Sequence, residues 1–216
     1  LSVPGVYNIS VWCEIPNDPL NFNDTLSFVV IHNPEVNTYP YFAGFEGSTT
    51  TWFSGGISNS WVWTTPNLNS INSASSGQKA WVTANGSGAN GTGGYNNNEQ
   101  SFVQAGPCFD LTGTTSPRVR VDVWWQSEID FDGVVLQSTT NGGLTWNAVG
   151  TVGSGTNWYT NAGIIGSPGG QGLGWCGRGS AGSNGWITAD HPLTGLSGQS
   201  DVRLRFAFGS DGSGLD

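Results

Sequence analysis

Between residues 6 and 12 the chain reads VYNISVW, with Val6, Asn8, Ser10 and Trp12 on one side of an extended segment and Tyr7, Ile9 and Val11 on the other. A period of two predicts a strand. Turn chemistry follows at Asn17-Asp18-Pro19 and at Asn21-Phe22-Asn23-Asp24, and residues 25–31 (TLSFVVI) form a second apolar run. Residues 1–34 therefore read as a hairpin with a long loop. Two strands bury no core by themselves, so this segment is expected to be the last two strands of a sandwich whose earlier strands precede Leu1. The expected boundary is His32-Asn33-Pro34.

From Tyr41 onward, short strand-like runs recur at 61–63, 80–83, 101–104, 118–125, 133–138, 146–149 and 202–208, separated by clusters of Gly, Asn and Ser. That spacing predicts an all-β domain over residues 35–216. In 118–125, Val119, Val121, Val123 and Trp125 alternate with Arg118, Arg120, Asp122 and Trp124. In 202–208, Val202, Leu204, Phe206 and Phe208 alternate with Arg203, Arg205 and Ala207. Each strand has one core face and one polar face, as in antiparallel sheets with a solvated side. Four of the five arginines lie on the polar faces, where they are expected to be solvated or to pair across strands with Asp122. Two long stretches, 76–94 and 151–185, read as loops, the second carrying Trp158, Tyr159 and Trp175. Loops of that length are uncommon unless they function or pack on themselves.

Composition sharpens this picture. Thirty-four of 216 residues are Gly, which argues against long helices, yet 11 Trp, 10 Phe and 5 Tyr supply enough apolar ring surface for a core. Six cationic groups against fifteen acidic ones leave a net charge of −9, and Lys79 is the single lysine. No cationic surface is available for phosphates, so nucleic acid is excluded as a partner. No apolar run of about 18 residues predicts membrane insertion. The acidic, lysine-poor, Asn- and Gly-rich composition points to an extracellular protein. Cys13, Cys108 and Cys176 allow at most one internal bridge.

Little here suits nucleophilic catalysis. His32 lies at the hairpin exit, His191 sits in Ala189-Asp190-His191-Pro192, and there is no G-x-S-x-G elbow. Glu128, Asp130 and Asp132 cluster between two predicted strands. Three readings suit them: a glycosidase acid and nucleophile pair, oxygen ligands for calcium at Asp130 and Asp132, or turn carboxylates bonded to their own backbone. A second acidic turn begins at Asp211. Residues 139–146 (TTNGGLTW) match the Asp-box pattern with Asn141 in the Asp position, which is read as a hairpin turn stapled by side-chain hydrogen bonds over Trp146. Trp124, Trp158, Tyr159, Trp175 and Trp186 are the rings that stack on a sugar if exposed, or form the core of the Gly-rich loops if not. Of these, Trp158, Tyr159 and Trp175 are the named ligand-binding candidates.

In combination, Tyr41-Phe42-Ala43-Gly44-Phe45-Glu46-Gly47, Asn59-Ser60-Trp61-Val62-Trp63, Gln78-Lys79-Ala80-Trp81-Val82-Thr83, Asn96-Asn97-Asn98-Glu99-Gln100-Ser101, Pro107-Cys108-Phe109-Asp110 and Arg203-Leu204-Arg205-Phe206-Ala207-Phe208-Gly209-Ser210-Asp211-Gly212 resemble the MAM-like, or cleaved-adhesin-like, jelly-roll modules of large secreted Bacteroidetes proteins. The resemblance covers residues 40–216. It implies an antiparallel jelly-roll β-sandwich preceded by the end of an immunoglobulin-like module, export by the type nine secretion system, and a cell-surface location. It also implies structural calcium, with Glu46 and Glu99 inheriting ligand roles, and a final strand that lies beyond Asp216. Cys108 and Cys176 fall in this module and are the expected disulfide. The expected function is a non-catalytic extracellular module acting in adhesion or surface architecture, toward a host, surface or glycan ligand. The alternative is a carbohydrate-binding accessory module of a secreted hydrolase or peptidase.

Overall fold

Alternating apolar positions become paired strands in the computed structural model, which describes residues 3–14, 16–17, 19–20, 24–83 and 94–213. The chain separates into two compact units, Leu1–Glu35 and Val36–Asp216. In the first, β1 (Gly5–Trp12) pairs antiparallel with β2 (Thr25–His32), from Gly5 opposite His32 to Trp12 opposite Thr25. Both faces of this hairpin carry exposed apolar residues, Val6 and Val29 on one and Val11 and Leu26 on the other, since two strands by themselves bury neither face. The turn residues expected at 18 and 21–23 lie outside the described residues.

At the division is β3 (Glu35–Val36). The second unit then contains, in chain order, β4 (Phe53–Ile57), β5 (Trp61–Thr64), β6 (Ala80–Thr83), β7 (Gln100–Gln104), β8 (Cys108–Phe109), β9 (Arg118–Val123), β10 (Gly133–Thr139), β11 (Asn147–Ala148), β12 (Ile187–Pro192) and β13 (Arg203–Gly209). Five of them form an antiparallel sheet ordered β11-β10-β13-β7-β4. Smaller antiparallel ladders join β9 to β12 and β5 to β6. The unit is all-β and sandwich-like. Among the described residues no helix is long and apolar enough to cross a membrane.

Register decides which residues meet. One row across the main sheet runs Gln137, Arg205, Gln104 and Phe53, and the next runs Val135, Ala207, Phe102 and Gly55. The opposite face carries Leu136, Phe206 and Val103, and there Trp52 stacks on Phe206 and meets Phe45 edge-on. The face expected to be solvated is instead partly covered by residues 164–171: Gln137 donates to the Gly169 carbonyl at 3.0 Å and Gln100 donates to that of Gly166. Gly169 has a φ of +59, and a Cβ there would meet the Gln137 amide at 2.5 Å. Glycine is what allows the segment to lie that close.

The long loop after β11 supplies the densest part of the core. Trp158 and Trp175 are in contact with ring centroids 4.9 Å apart, and Tyr159 lies 4.8 Å from Trp175. All three are at most 3% exposed. Their polar atoms find backbone carbonyls: Trp158 donates to Val149, Trp175 to Asn157 and Tyr159 to Leu136. These rings are therefore core and cannot stack on a sugar from solvent, which corrects the expectation for Trp158, Tyr159 and Trp175. In a chain this poor in aliphatic residues, indole rings fill the volume and use the loop's own carbonyls to satisfy their N–H groups.

The Asp-box turn is stapled as its sequence predicts. Asn141 accepts from the Thr139 hydroxyl at 2.8 Å and from the Thr145 N–H at 3.0 Å, and its amide donates to the Thr145 hydroxyl at 2.8 Å. Trp146 packs under Gly143. Asn141→Ala is expected to lower stability by about 1–2 kcal/mol in denaturant unfolding; a change under about 0.5 kcal/mol would show that the backbone alone holds the turn.

Candidate metal centre

Asp132 immediately precedes β10, and Asp211 lies two residues beyond β13. Pairing of Gly133 with Gly209 brings these two chain ends together, and the Asp211 N–H donates to Asp132 Oδ1 at 2.9 Å. Glu128 joins them through a tight turn in which its carbonyl accepts from the N–H of Asp132 at 3.1 Å, with Asp130 between them at a φ of +69. The result is a group of three carboxylates, Glu128, Asp132 and Asp211, with one oxygen of each within 4.8 Å of the others. Unit negative charges at that spacing repel by about 3 kcal/mol at an effective dielectric near 20. An all-oxygen set of this kind could hold a hard divalent cation.

The surroundings hold the carboxylates in place without neutralising them. Asp132 is fully buried, and Tyr95 donates its hydroxyl to Oδ2 at 2.6 Å. The Glu128 N–H in turn donates to the Tyr95 oxygen at 3.1 Å. Glu128 Oε2 is buried and has no hydrogen-bond partner among the described residues. Burial is the main force on Asp132 and pushes its pKa up to about 6, against the pull of Tyr95 and the Asp211 N–H and with the push of the neighbouring negative charges. A cation among these oxygens would relieve both the desolvation and the repulsion.

Of the four residues expected to bind metal, Asp132 alone belongs to this group. Asp130 turns away, accepting from the Asn161 amide, while its N–H donates to Cys176 Sγ at 3.2 Å. Glu46 is a loop anchor. Its carboxylate accepts the N–H groups of Gln78 and Lys79 at 2.9 and 2.8 Å, which hold its pKa below the usual carboxylate range. Gly77, with a φ of +63, lets the backbone wrap around it, since a Cβ there would sit 2.4 Å from the carboxyl carbon.

Glu99 is wholly buried with both oxygens engaged. Ser60 donates its N–H at 2.9 Å and its hydroxyl at 2.7 Å, Asn96 donates its N–H at 3.2 Å, and Ser101 donates its hydroxyl. Four protein donors occupy the lone pairs that a metal would need. The residues that sequence reasoning missed as ligands are Glu128, which it placed only in an acid and nucleophile pair, and Asp211. The signal for Asp211 lay in its place just past a strongly alternating strand, but only the pairing of that strand with one about 70 positions earlier makes it a neighbour of Asp132.

The cysteines expected as a disulfide are separate thiols. Cys176 Sγ is held by the Asp130 N–H and the Glu128 carbonyl, and burial pushes its pKa up. Cys108 stands half-buried on β8.

A cavity of about 300 Å³ lies elsewhere in this unit, lined by Val149, Gly150, Ser154, His191 and Leu193 among others. His191 is buried, with Nδ1 against the Pro192 carbonyl at 2.6 Å and Nε2 2.8 Å from Ser154 Oγ. Ser154 Oγ also accepts the Thr151 N–H and reaches the Thr151 carbonyl, at 2.9 and 2.7 Å. Asp190, next to His191 in sequence, points to the other side of β12 and pairs with Arg118. The imidazole thus pins a turn against Trp158, 4.8 Å away.

Comparison with protein-family models, with curated proteins and with solved structures finds no match.

Two outcomes follow from the carboxylates. Folded Asp132 holds its proton more tightly than the unfolded chain, with its ordinary value of 3.8, so between about pH 4 and 6 the folded state binds more protons and stability from this group falls as pH rises. Without added cation, Asp132→Asn should gain stability relative to wild type as pH goes from 4 to 7 in thermal unfolding; a constant difference would refute a strained Asp132. Glu99→Leu strands two hydroxyls and two N–H groups and should cost on the order of 3 kcal/mol. That loss should be equal with calcium and with chelator, whereas a loss seen only with calcium would make Glu99 a ligand.

Proposed function

We propose that this chain is a non-catalytic, extracellular β-sandwich module of a secreted or cell-surface protein, with calcium at Glu128, Asp132 and Asp211 as its structural cofactor. The observation that carries the reading is the convergence of three carboxylates at one end of the central β10–β13 ladder, one of them with a buried oxygen that has no partner among the described residues. A cation there would tie the turn after β9 to the segment after β13 and offset their mutual repulsion. Its action is geometric: it fixes loop entropy and holds the sheet end in one shape. Calcium is favoured over softer metals because every donor is oxygen.

Adhesion or surface architecture is the role this serves. It rests on the resemblance of residues 40–216 to MAM-like and cleaved-adhesin-like jelly rolls, together with the acidic charge. The histidine best placed for catalysis, His191, is engaged at both nitrogens by a turn and a backbone carbonyl, which supports a structural part for it.

A second reading, a carbohydrate-binding accessory module, is favoured by one observation. The row Gln137, Arg205, Gln104 and Phe53 places amides, a guanidinium and a ring side by side on one face of the main sheet.

Calcium binding selective for the native state raises stability by about 2.7 kcal/mol at a hundredfold excess over Kd, a shift of about 5–10 °C for a unit of this size. Thermal unfolding with calcium and with chelator should show that shift, and Glu128→Gln or Asp211→Asn should abolish it. The same midpoint in both conditions would remove the metal from the account.

A further inference from the structure

Arg205 differs from the arginines Arg118 and Arg203 on the strands of this unit. It lies half-buried on β13 between two rings, its guanidinium carbon 4.1 Å from the Trp146 centroid and 5.2 Å from that of Phe102. Nε donates to Gln137 Oε1 at 2.8 Å, and the Gln137 amide is itself oriented by the Gly169 carbonyl. Arg118 and Arg203 have carboxylate partners, Asp190 and Asp201. Among the described residues no carboxylate pairs with Arg205, and its terminal Nη groups make no hydrogen bond. Its pKa, down to about 10, reflects burial alone. A guanidinium held against two rings, aimed by an amide and left without an anion among the described residues is a preorganised fork for a carboxylate.

Gln104 is the neighbouring polar group. It is directly opposite Arg205 in the sheet and 8% exposed. Its side-chain amide sets one acceptor and two N–H donors beside the guanidinium. The next position in the row is Phe53, 44% exposed. Two strand spacings separate Arg205 from Phe53, about 10 Å, the span of one to two pyranose rings.

We propose that Arg205, Gln104 and Phe53 form a binding site for an acidic saccharide, with the guanidinium taking a sugar carboxylate, the Gln104 amide a hydroxyl, and the Phe53 ring the apolar face of the neighbouring sugar. The site rests on the carbohydrate-binding reading above and is independent of the cation centre. An acidic peptide would offer the carboxylate but no hydroxyl for Gln104 and no flat apolar face for Phe53.

The test is calorimetric titration of the full chain with tetragalacturonate, with its fully methyl-esterified form, and with tetraglutamate. The free acid is expected to bind at least tenfold more tightly than either of the others. Arg205→Lys, which keeps the charge and loses the fork, should weaken binding at least tenfold. Gln104→Leu should weaken it severalfold with an unfolding midpoint equal to or above wild type, an outcome that a purely structural role for the row does not give. Equal affinity for acid and ester would overturn the acidic preference while leaving carbohydrate binding intact. Binding of neither saccharide would overturn both. Tetraglutamate bound as tightly as tetragalacturonate would assign the fork to peptide carboxylates instead, and unchanged binding by Arg205→Lys would remove Arg205 from the site.

Discussion

A carboxylate with no exposure at all, that of Glu99, is the constraint around which one end of the main sheet is organised. Burying such a group is tolerable only when donors replace its water. The donors here come from Ser60 ahead of β5, from Asn96 and from Ser101 on β7, so satisfying one side chain brings three stretches of chain into register. Ser210 continues the arrangement, accepting the Glu99 N–H with its hydroxyl and donating that hydroxyl to the Asn96 carbonyl. Through Ser210 the chain arrives at Asp211 already facing Asp132.

That arrival explains why the two buried acids behave differently. Glu99 is surrounded by hydroxyls and N–H groups that match it lone pair for lone pair. Asp132 has Tyr95 and the Asp211 N–H in its favour but also Glu128 and Asp211 as negative neighbours, and the Glu128 oxygen with no partner among the described residues stands beside it. One carboxylate closes the fold, while the other belongs to a group whose balance is left for a cation.

Arg205 is the positive counterpart on the same sheet. Its burial is offset by ring faces, which attract a cation through their quadrupoles, and not by an acid. Coverage of this face by residues 164–171 is what gives the polar row its shape: Gly169 fits against Gln137, Gln137 aims Arg205, and the remaining donors of the fork stay free among the described residues. A face that alternation marks as solvated thus carries a fixed, unpaired charge.

Periodicity by itself determined the class of the fold and most of its strands. The runs at 80–83, 118–125, 133–138 and 202–208 coincide within two residues with β6, β9, β10 and β13, because alternation reports directly which side of a strand meets the core. It missed β4, whose Gly55 and Gly56 carry no pattern, and β12, whose Asp190, His191 and Pro192 show no apolar alternation and whose strand character comes from pairing with β9. The staple of the Asp-box was legible for the same local reason, since every bond in it spans four residues or fewer. What only tertiary structure decided is which distant segments pair. The order β11-β10-β13-β7-β4 converts two unremarkable acidic turns into one group of carboxylates, turns the loop rings Trp158, Tyr159 and Trp175 into core, and sets Gln104 opposite Arg205. None of these follows from spacing along the chain, because antiparallel register between segments tens of residues apart is fixed by the summed burial of whole faces, and no local pattern encodes that sum.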